Sequence, residues 1–171
     1  MRFLIQRVRE ASVTVEGQTV GRIGKGLLVF VGVNASDVEE GASGKTARET
    51  ADKMVRKLIG LRIFEDAEGK TNLDLKSVEG QILLVSQFTL YADCRRGNRP
   101  SFARAGNPQE ALALYQYIVE RCRQETGEGF VEEGRFGADM KVSLVNDGPF
   151  TIMLDSQELS NSNTEQQHKM C

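Results

Sequence analysis

The sequence predicts an α/β fold: a single compact domain of mostly antiparallel or mixed β-sheet with two main amphipathic helices over residues 1–155, and a polar tail over 156–171. Three observations lead there. Leu27 to Val33 and Ile82 to Val85 are unbroken apolar runs, short enough for strands and without a polar face, so they read as the centre of a sheet covered on both sides. Two longer stretches, one ending at Ile59 and one opening at Asn107, repeat apolar residues every three or four positions, the period of a helix with one buried side. A chain of 171 residues with 40% apolar content suffices for one core, and no Pro/Gly/Ser-rich linker divides its first 155 residues.

In chain order, Met1 to Val15 is rich in β-branched residues, and Phe3 and Ile5, then Ala11, Val13 and Val15, alternate with polar positions as in a long, bulged strand. Glu16-Gly17-Gln18 is a turn, Thr19 to Ile23 is its hairpin partner, and Leu27 to Val33 is a central strand. Ser36-Asp37-Val38-Glu39 has capping-box spacing, and Ala47, Ala51, Met54, Val55, Leu58 and Ile59 continue a helix over about 37–59 that Gly60 ends. Leu61 to Phe64 is a short strand, Asp66 to Gly69 a polar turn, and Leu73 and Leu75 lead to the apolar strand Ile82–Val85. Asn107-Pro108-Gln109-Glu110 supplies a cap, a first-turn proline and a glutamate in the order a helix start favours, and Ala111, Leu114, Tyr115, Ile118 and Cys122 mark the buried face up to Gly127. Phe130–Glu132, Ala138–Val145 and Ile152–Leu154 are further strands, with Gly148-Pro149 reading by default as a turn between the last two. From Ser156 onward Ser, Asn and Gln dominate, which predicts disorder.

Composition removes several function classes. The formal net charge of −2 rules out binding nucleic acid through a globally basic surface and leaves that task to a local patch, for which Arg95, Arg96, Arg99 and Arg104 qualify, with no acidic residue between Cys94 and Arg104. Cysteines at 94, 122 and 171 fit neither a disulfide framework nor zinc-ligand spacing and point to a reducing compartment. Without a signal-peptide-like apolar segment or a membrane-length run, a soluble, cytoplasmic protein with no membrane partner is expected. The single histidine, His168, lies in the tail, so no Ser-His-Asp, Cys-His or histidine-metal site is expected in the domain.

The chemistry that remains gathers where the strand Ile82–Val85 runs out. Ser86, Gln87 and Thr89 bring small polar groups to its end; strand alternation places Gln87 and Thr89 on one face and Ser86 and Phe88 on the other, unless a bend joins them. These side chains either cap a strand end or line a pocket. No base stands ready to activate Thr89 as a nucleophile, whereas backbone N–H groups stabilise an oxyanion without titrating. Cys94 beside Arg95 and Arg96 is the alternative nucleophile, since positive charge favours thiolate. Gly148-Pro149 is either a plain turn or a rigid element whose bare backbone a ligand approaches closely.

Ser86-Gln87-Phe88-Thr89-Leu90-Tyr91-Ala92-Asp93 and Asn146-Asp147-Gly148-Pro149-Phe150-Thr151 resemble the two signature motifs of the D-aminoacyl-tRNA deacylases, also known as D-tyrosyl-tRNA deacylases. Met1 to Val8 and Arg99-Pro100-Ser101-Phe102 are similar to the same family, so the resemblance spans residues 1 to about 155. It implies an enzyme that hydrolyses the ester of D-aminoacyl-tRNA, and of glycyl-tRNA mischarged on tRNA-Ala, without a cofactor. It further implies a homodimer in which a cis Gly148-Pro149 enters the partner's pocket as a backbone filter against L-amino acids, facing Ser86, Gln87, Phe88 and Thr89, with Arg7 supporting the Gly-Pro segment. The arginines at 95, 96, 99 and 104 would meet tRNA phosphates. Two alternatives stand beside this reading: a non-catalytic tRNA-binding module, and a cysteine hydrolase using Cys94.

Overall fold

The computed structural model describes residues 1–38 and 46–159. Its first three strands, β1 (Arg2–Val15), β2 (Gln18–Ile23) and β3 (Gly26–Gly32), are followed by a short helix α1 (Ala35–Val38) and the longer α2 (Ala47–Ile59). A two-stranded ribbon, β4 (Phe64–Glu65) with β5 (Thr71–Leu73), leads to β6 (Gln81–Ser86), the 19-residue helix α3 (Pro108–Thr126), β7 (Val131–Glu133) and β8 (Lys141–Asp155). The main sheet has six strands in the order β2-β1-β3-β6-β7, with β8 also paired to β1. β3 runs antiparallel to β1 and parallel to β6, and β6 runs parallel to β7, so the sheet is mixed as expected.

The apolar runs explain the layers. In β3 and β6 successive side chains point to opposite faces. Leu27, Val29, Val31, Ile82 and Leu84 join one cluster, closed by Met54 and Leu58 of α2 and by Tyr115 and Ile118 of α3; Leu28, Leu83 and Val85 join a second cluster on the other face. β6 is therefore buried on both sides. β1 belongs to both clusters, with Phe3 and Ile5 in the first and Ala11, Val13 and Val15 in the second. All five are odd-numbered, so the strand must change face between them, and one extra residue does that. Val8 pairs with Asn146 and Glu10 with Val145, which leaves Arg9 as the inserted residue.

Several expectations are corrected. α2 starts later than the Ser36–Glu39 spacing predicts: Ser36 lies inside α1, Glu39 is outside the described residues, and Thr46 with Glu49 forms the capping box of α2, whose first residue is Ala47. Residues 39–45 of the helix expected over about 37–59 lie outside the described residues. The second correction concerns Gly148-Pro149, which is not a turn between two strands. β8 is one strand of 15 residues whose pairing with β1 resumes beyond the glycine and proline, because the partner strand holds both halves in one sheet and overrides the local turn signal. The α3 start agrees with the sequence: Asn107 Oδ1 accepts from the Gln109 N–H at 2.9 Å, with Pro108 in the first turn. Of the tail expected to be disordered, Ser156 to Leu159 are helical and Ser156 is buried, while 160–171 lie outside the described residues.

Candidate active site

β6 ends at Ser86, its last residue in register with β3, and Gln87 donates one more N–H to Val31 O at 2.8 Å. Gln87 then turns the chain into a 3₁₀ turn, Phe88–Tyr91, in which Leu90 N–H donates to Gln87 O at 3.3 Å. The N–H groups that open such a turn, here those of Phe88 and Thr89, have no acceptor within it. Gln87 Nε2 donates to Thr89 Oγ1 at 2.5 Å, so the threonine hydroxyl is oriented by the amide two residues before it.

The strand end opens onto a cavity of about 590 Å3. Ser86, Gln87 and Phe88 form one wall, so the bend at the strand end does bring Ser86 and Phe88 to the same side as Gln87; Thr89 is not on that wall. The rest is largely apolar: Ala111 and Tyr115 of α3, Phe102, and the segment from Phe136 to Met140. Phe88 is 56% exposed and packs edge-on against Phe102 at 5.0 Å between centroids, a large aromatic ring left at the rim of a pocket. The Tyr115 hydroxyl donates to Leu84 O at 2.9 Å, and burial pushes its pKa up, so it stays a neutral wall. Sequence reasoning missed Phe102 and the 136–140 segment as pocket walls. An aromatic inside the arginine-rich stretch, between Arg99 and Arg104, is a usable signal for the first, and nothing local marks the second.

The arginine-rich segment is a loop closed by Asp93 and Ser101, which exchange backbone hydrogen bonds of 2.7 and 2.9 Å. Asp93, the residue just before Cys94, pairs with Arg95 at 2.5 Å and with Arg104 at 3.8 Å. Its carboxyl is held well below the usual carboxylate range by the Arg95 hydrogen bonds. Arg96 and Arg99 are exposed and have no ion pair among the described residues. Cys94 is exposed and does not line the cavity; Cys122 is buried, which pushes its thiol up to about 12. Among the described residues there is no histidine and no cluster of potential metal ligands.

Gly148 and Pro149 lie elsewhere. Gln6 pairs with Thr151 and Val8 with Asn146, so residues 147–150 bulge out opposite Arg7 alone. The Gly148–Pro149 peptide is cis, both residues are exposed, and Gly148 has φ +136°. Arg7 is buried beneath the bulge: Nε donates to Asp147 O at 3.0 Å, Nη1 donates to Ile63 O at 2.6 Å, and the guanidinium lies 4.8 Å from the Phe150 ring centroid. Register measures the separation from Ser86. Arg7 pairs with Leu27 and Leu27 with Ile82, so the bulge is three strands away from β6 and level with a residue four before Ser86. At about 4.8 Å per strand and 3.3 Å per residue, that is roughly 14 Å across and 13 Å along the sheet. One chain does not bring its two motifs into one site.

A family model described as "D-Tyr-tRNA(Tyr) deacylase" matches residues 4–155. The chain is 56% identical over 159 residues to a D-aminoacyl-tRNA deacylase of Solidesulfovibrio magneticus, covering 93% of this chain and 98% of that one. It is 53% identical over 151 residues to a D-aminoacyl-tRNA deacylase of Escherichia coli, covering 88% and 97%. Among solved structures, one titled "c-Myc DNA Unwinding Element Binding Protein" superposes with a TM-score of 0.80 at 36% identity, covering 91% of this chain and 98% of that one.

Proposed function

The chain belongs to the D-Tyr-tRNA(Tyr) deacylase family and is an enzyme, a D-aminoacyl-tRNA deacylase, and we propose that it selects against L-esters with the Gly148–Pro149 backbone of a second subunit. The observation that carries this is the separation of the two motifs. An exposed backbone bulge and, away from it in the same chain, an open cavity beside Ser86 to Phe88 are complementary halves, and a homodimer that inserts one into the other completes both. A backbone element placed where an L side chain would project rejects it whatever the D side chain is, and glycine, having none, passes; glycyl-tRNA mischarged on tRNA-Ala is therefore a substrate.

The apolar cavity beside Ser86, Gln87 and Phe88 takes the terminal adenosine and its ester. Water attacks the ester carbonyl, the backbone N–H groups near Phe88 and Thr89 stabilise the oxyanion, and the bond from carbonyl carbon to ribose oxygen breaks, releasing tRNA and a D-amino acid. The substrate's own 2′-hydroxyl helps activate the water, which suits a site without histidine. Thr89, held by Gln87, positions rather than attacks. Arg96 and Arg99, with Arg95 and Arg104 behind them, meet tRNA phosphates. No helix of the described residues is long and apolar enough to cross a membrane, and a tRNA substrate suits a cytoplasmic protein.

The test is hydrolysis of D- and L-tyrosyl-tRNA by the wild type, Gly148→Ala, Thr89→Ala and Cys94→Ala. A Cβ on Gly148 would lie 3.1 Å from Arg7 Nη2 on a backbone that L side chains rarely adopt, so Gly148→Ala loses most D-specific activity. Cys94→Ala keeps it; loss of activity in Cys94→Ala alone would favour the cysteine hydrolase. Equal cleavage of D- and L-esters by the wild type would sink the filter.

A further inference from the structure

We propose that Asn146 is a positioning residue for chiral selection: its side chain closes the neck of the bulge that presents Gly148 and Pro149. This rests on the backbone-filter reading above. The tip of the bulge is exposed, and hydrogen bonds support it at its two shoulders, Asp147 and Phe150. Arg7 and Arg9 hold the first: Arg7 Nε donates to Asp147 O at 3.0 Å and Arg9 Nε to Asp147 Oδ1 at 3.0 Å. Asn146 holds the second, because its Oδ1 accepts from the Phe150 N–H at 2.7 Å.

The other end of the same amide ties that hydrogen bond back to the sheet. Asn146 Nδ2 donates to Thr151 Oγ1 at 3.2 Å, and Gln6 Nε2 reaches the same oxygen at 3.3 Å. Asn146 and Thr151 are the two β8 residues paired to β1 on either side of the four-residue excursion, so one side chain spans the gap between them. A carboxamide suits the task because it offers an acceptor at one corner and a donor at the other. Without it, the Phe150 N–H has no partner, and the backbone on the Phe150 side of the bulge keeps only the ring's contacts with Arg7 and the core. A filter that works by occupying a volume loses discrimination once it can move aside, and displacements near 1 Å at a reacting centre already change rates substantially.

Asn146 is only partly buried, so its replacement is separable from folding. The experiment measures kcat/KM for D- and L-tyrosyl-tRNA, with Tm as the control, in Asn146→Ala, Asn146→Asp and Gly148→Ala. Asn146→Ala is expected to lower the D-to-L ratio about tenfold or more with an unchanged melting curve. Asn146→Asp, which keeps the acceptor for Phe150 N–H but loses the donor to Thr151, recovers most of the ratio. A D-to-L ratio within twofold of wild type in Asn146→Ala, while Gly148→Ala changes it, would overturn the role of Asn146 and leave the filter standing. An unchanged ratio in Gly148→Ala overturns both. A fall in Tm that parallels the loss of ratio in both Asn146 variants assigns the residue to folding and also overturns the proposal.

Discussion

Asp93 divides the arginines of its loop into two kinds. Arg95 donates from both Nε and Nη2 to Asp93, whereas Arg96 and Arg99 extend from the loop without an ion pair among the described residues. A guanidinium engaged on a carboxylate has fewer donors left for a phosphate. Replacing Arg96 or Arg99 by alanine should therefore weaken tRNA binding and reduce the slope of log K against log salt by about one each, with smaller changes for Arg95→Ala and Arg104→Ala, as measured by binding across a salt series. Four equal slopes would show that the Asp93 pairs dissolve when tRNA binds. The sequence displays all four arginines as equivalent. What separates them is a carboxylate adjacent to the stretch whose reach depends on the loop closing back at Ser101.

At the scale of elements, legibility follows how local the cause is. α3 begins where its cap and proline say, because both act within one turn of the helix; Asn107→Ala should cost about 1 kcal/mol, read as a fall in Tm of about 2–4 °C. Asn107→Asp should leave Tm nearly unchanged, since it keeps the acceptor for Gln109 N–H. The start of α2 is ambiguous in the sequence because Ser36–Glu39 and Thr46–Glu49 satisfy the same four-residue pattern, and no local rule chooses between them. β8 reads as two strands because Gly148-Pro149 is a strong local turn signal, while the pairing that restores the strand lies more than 130 positions back in the chain, in β1. The pocket shows the same division. Ser86 to Phe88 are legible as the end of a buried strand, but the 136–140 wall is placed by the folded sheet alone.

For the molecule as a whole, the two ends of the described domain are sewn together, since β1 and β8 lie side by side and Arg2 Nε donates to Asp155 Oδ2 at 2.8 Å. Burial alone would raise the Asp155 pKa, but the hydrogen bonds from Arg2 and from Gln157 N–H outweigh it and hold it below its ordinary value of 3.8. A carboxylate depressed in this way adds stability that is fully present above its unfolded pKa and is lost as pH falls through the folded one. Urea midpoints should thus drop as pH is lowered beneath about 4, and more steeply in the wild type than in Asp155→Asn. The shared-site reading makes its own prediction. Mixing an inactive Gly148 variant with an inactive Gln87 variant should restore about a quarter of the wild-type sites, because half of randomly assorted dimers are mixed and each carries one intact site.

The three-strand distance between the bulge and β6 then has a consequence for kinetics. If neither chain holds a complete site, deacylation is limited by encounter between chains as well as by chemistry. Specific activity would fall on dilution below the dimer's dissociation constant and be regained on concentration, so the amount of protein in the cell would itself set how strictly translation is policed.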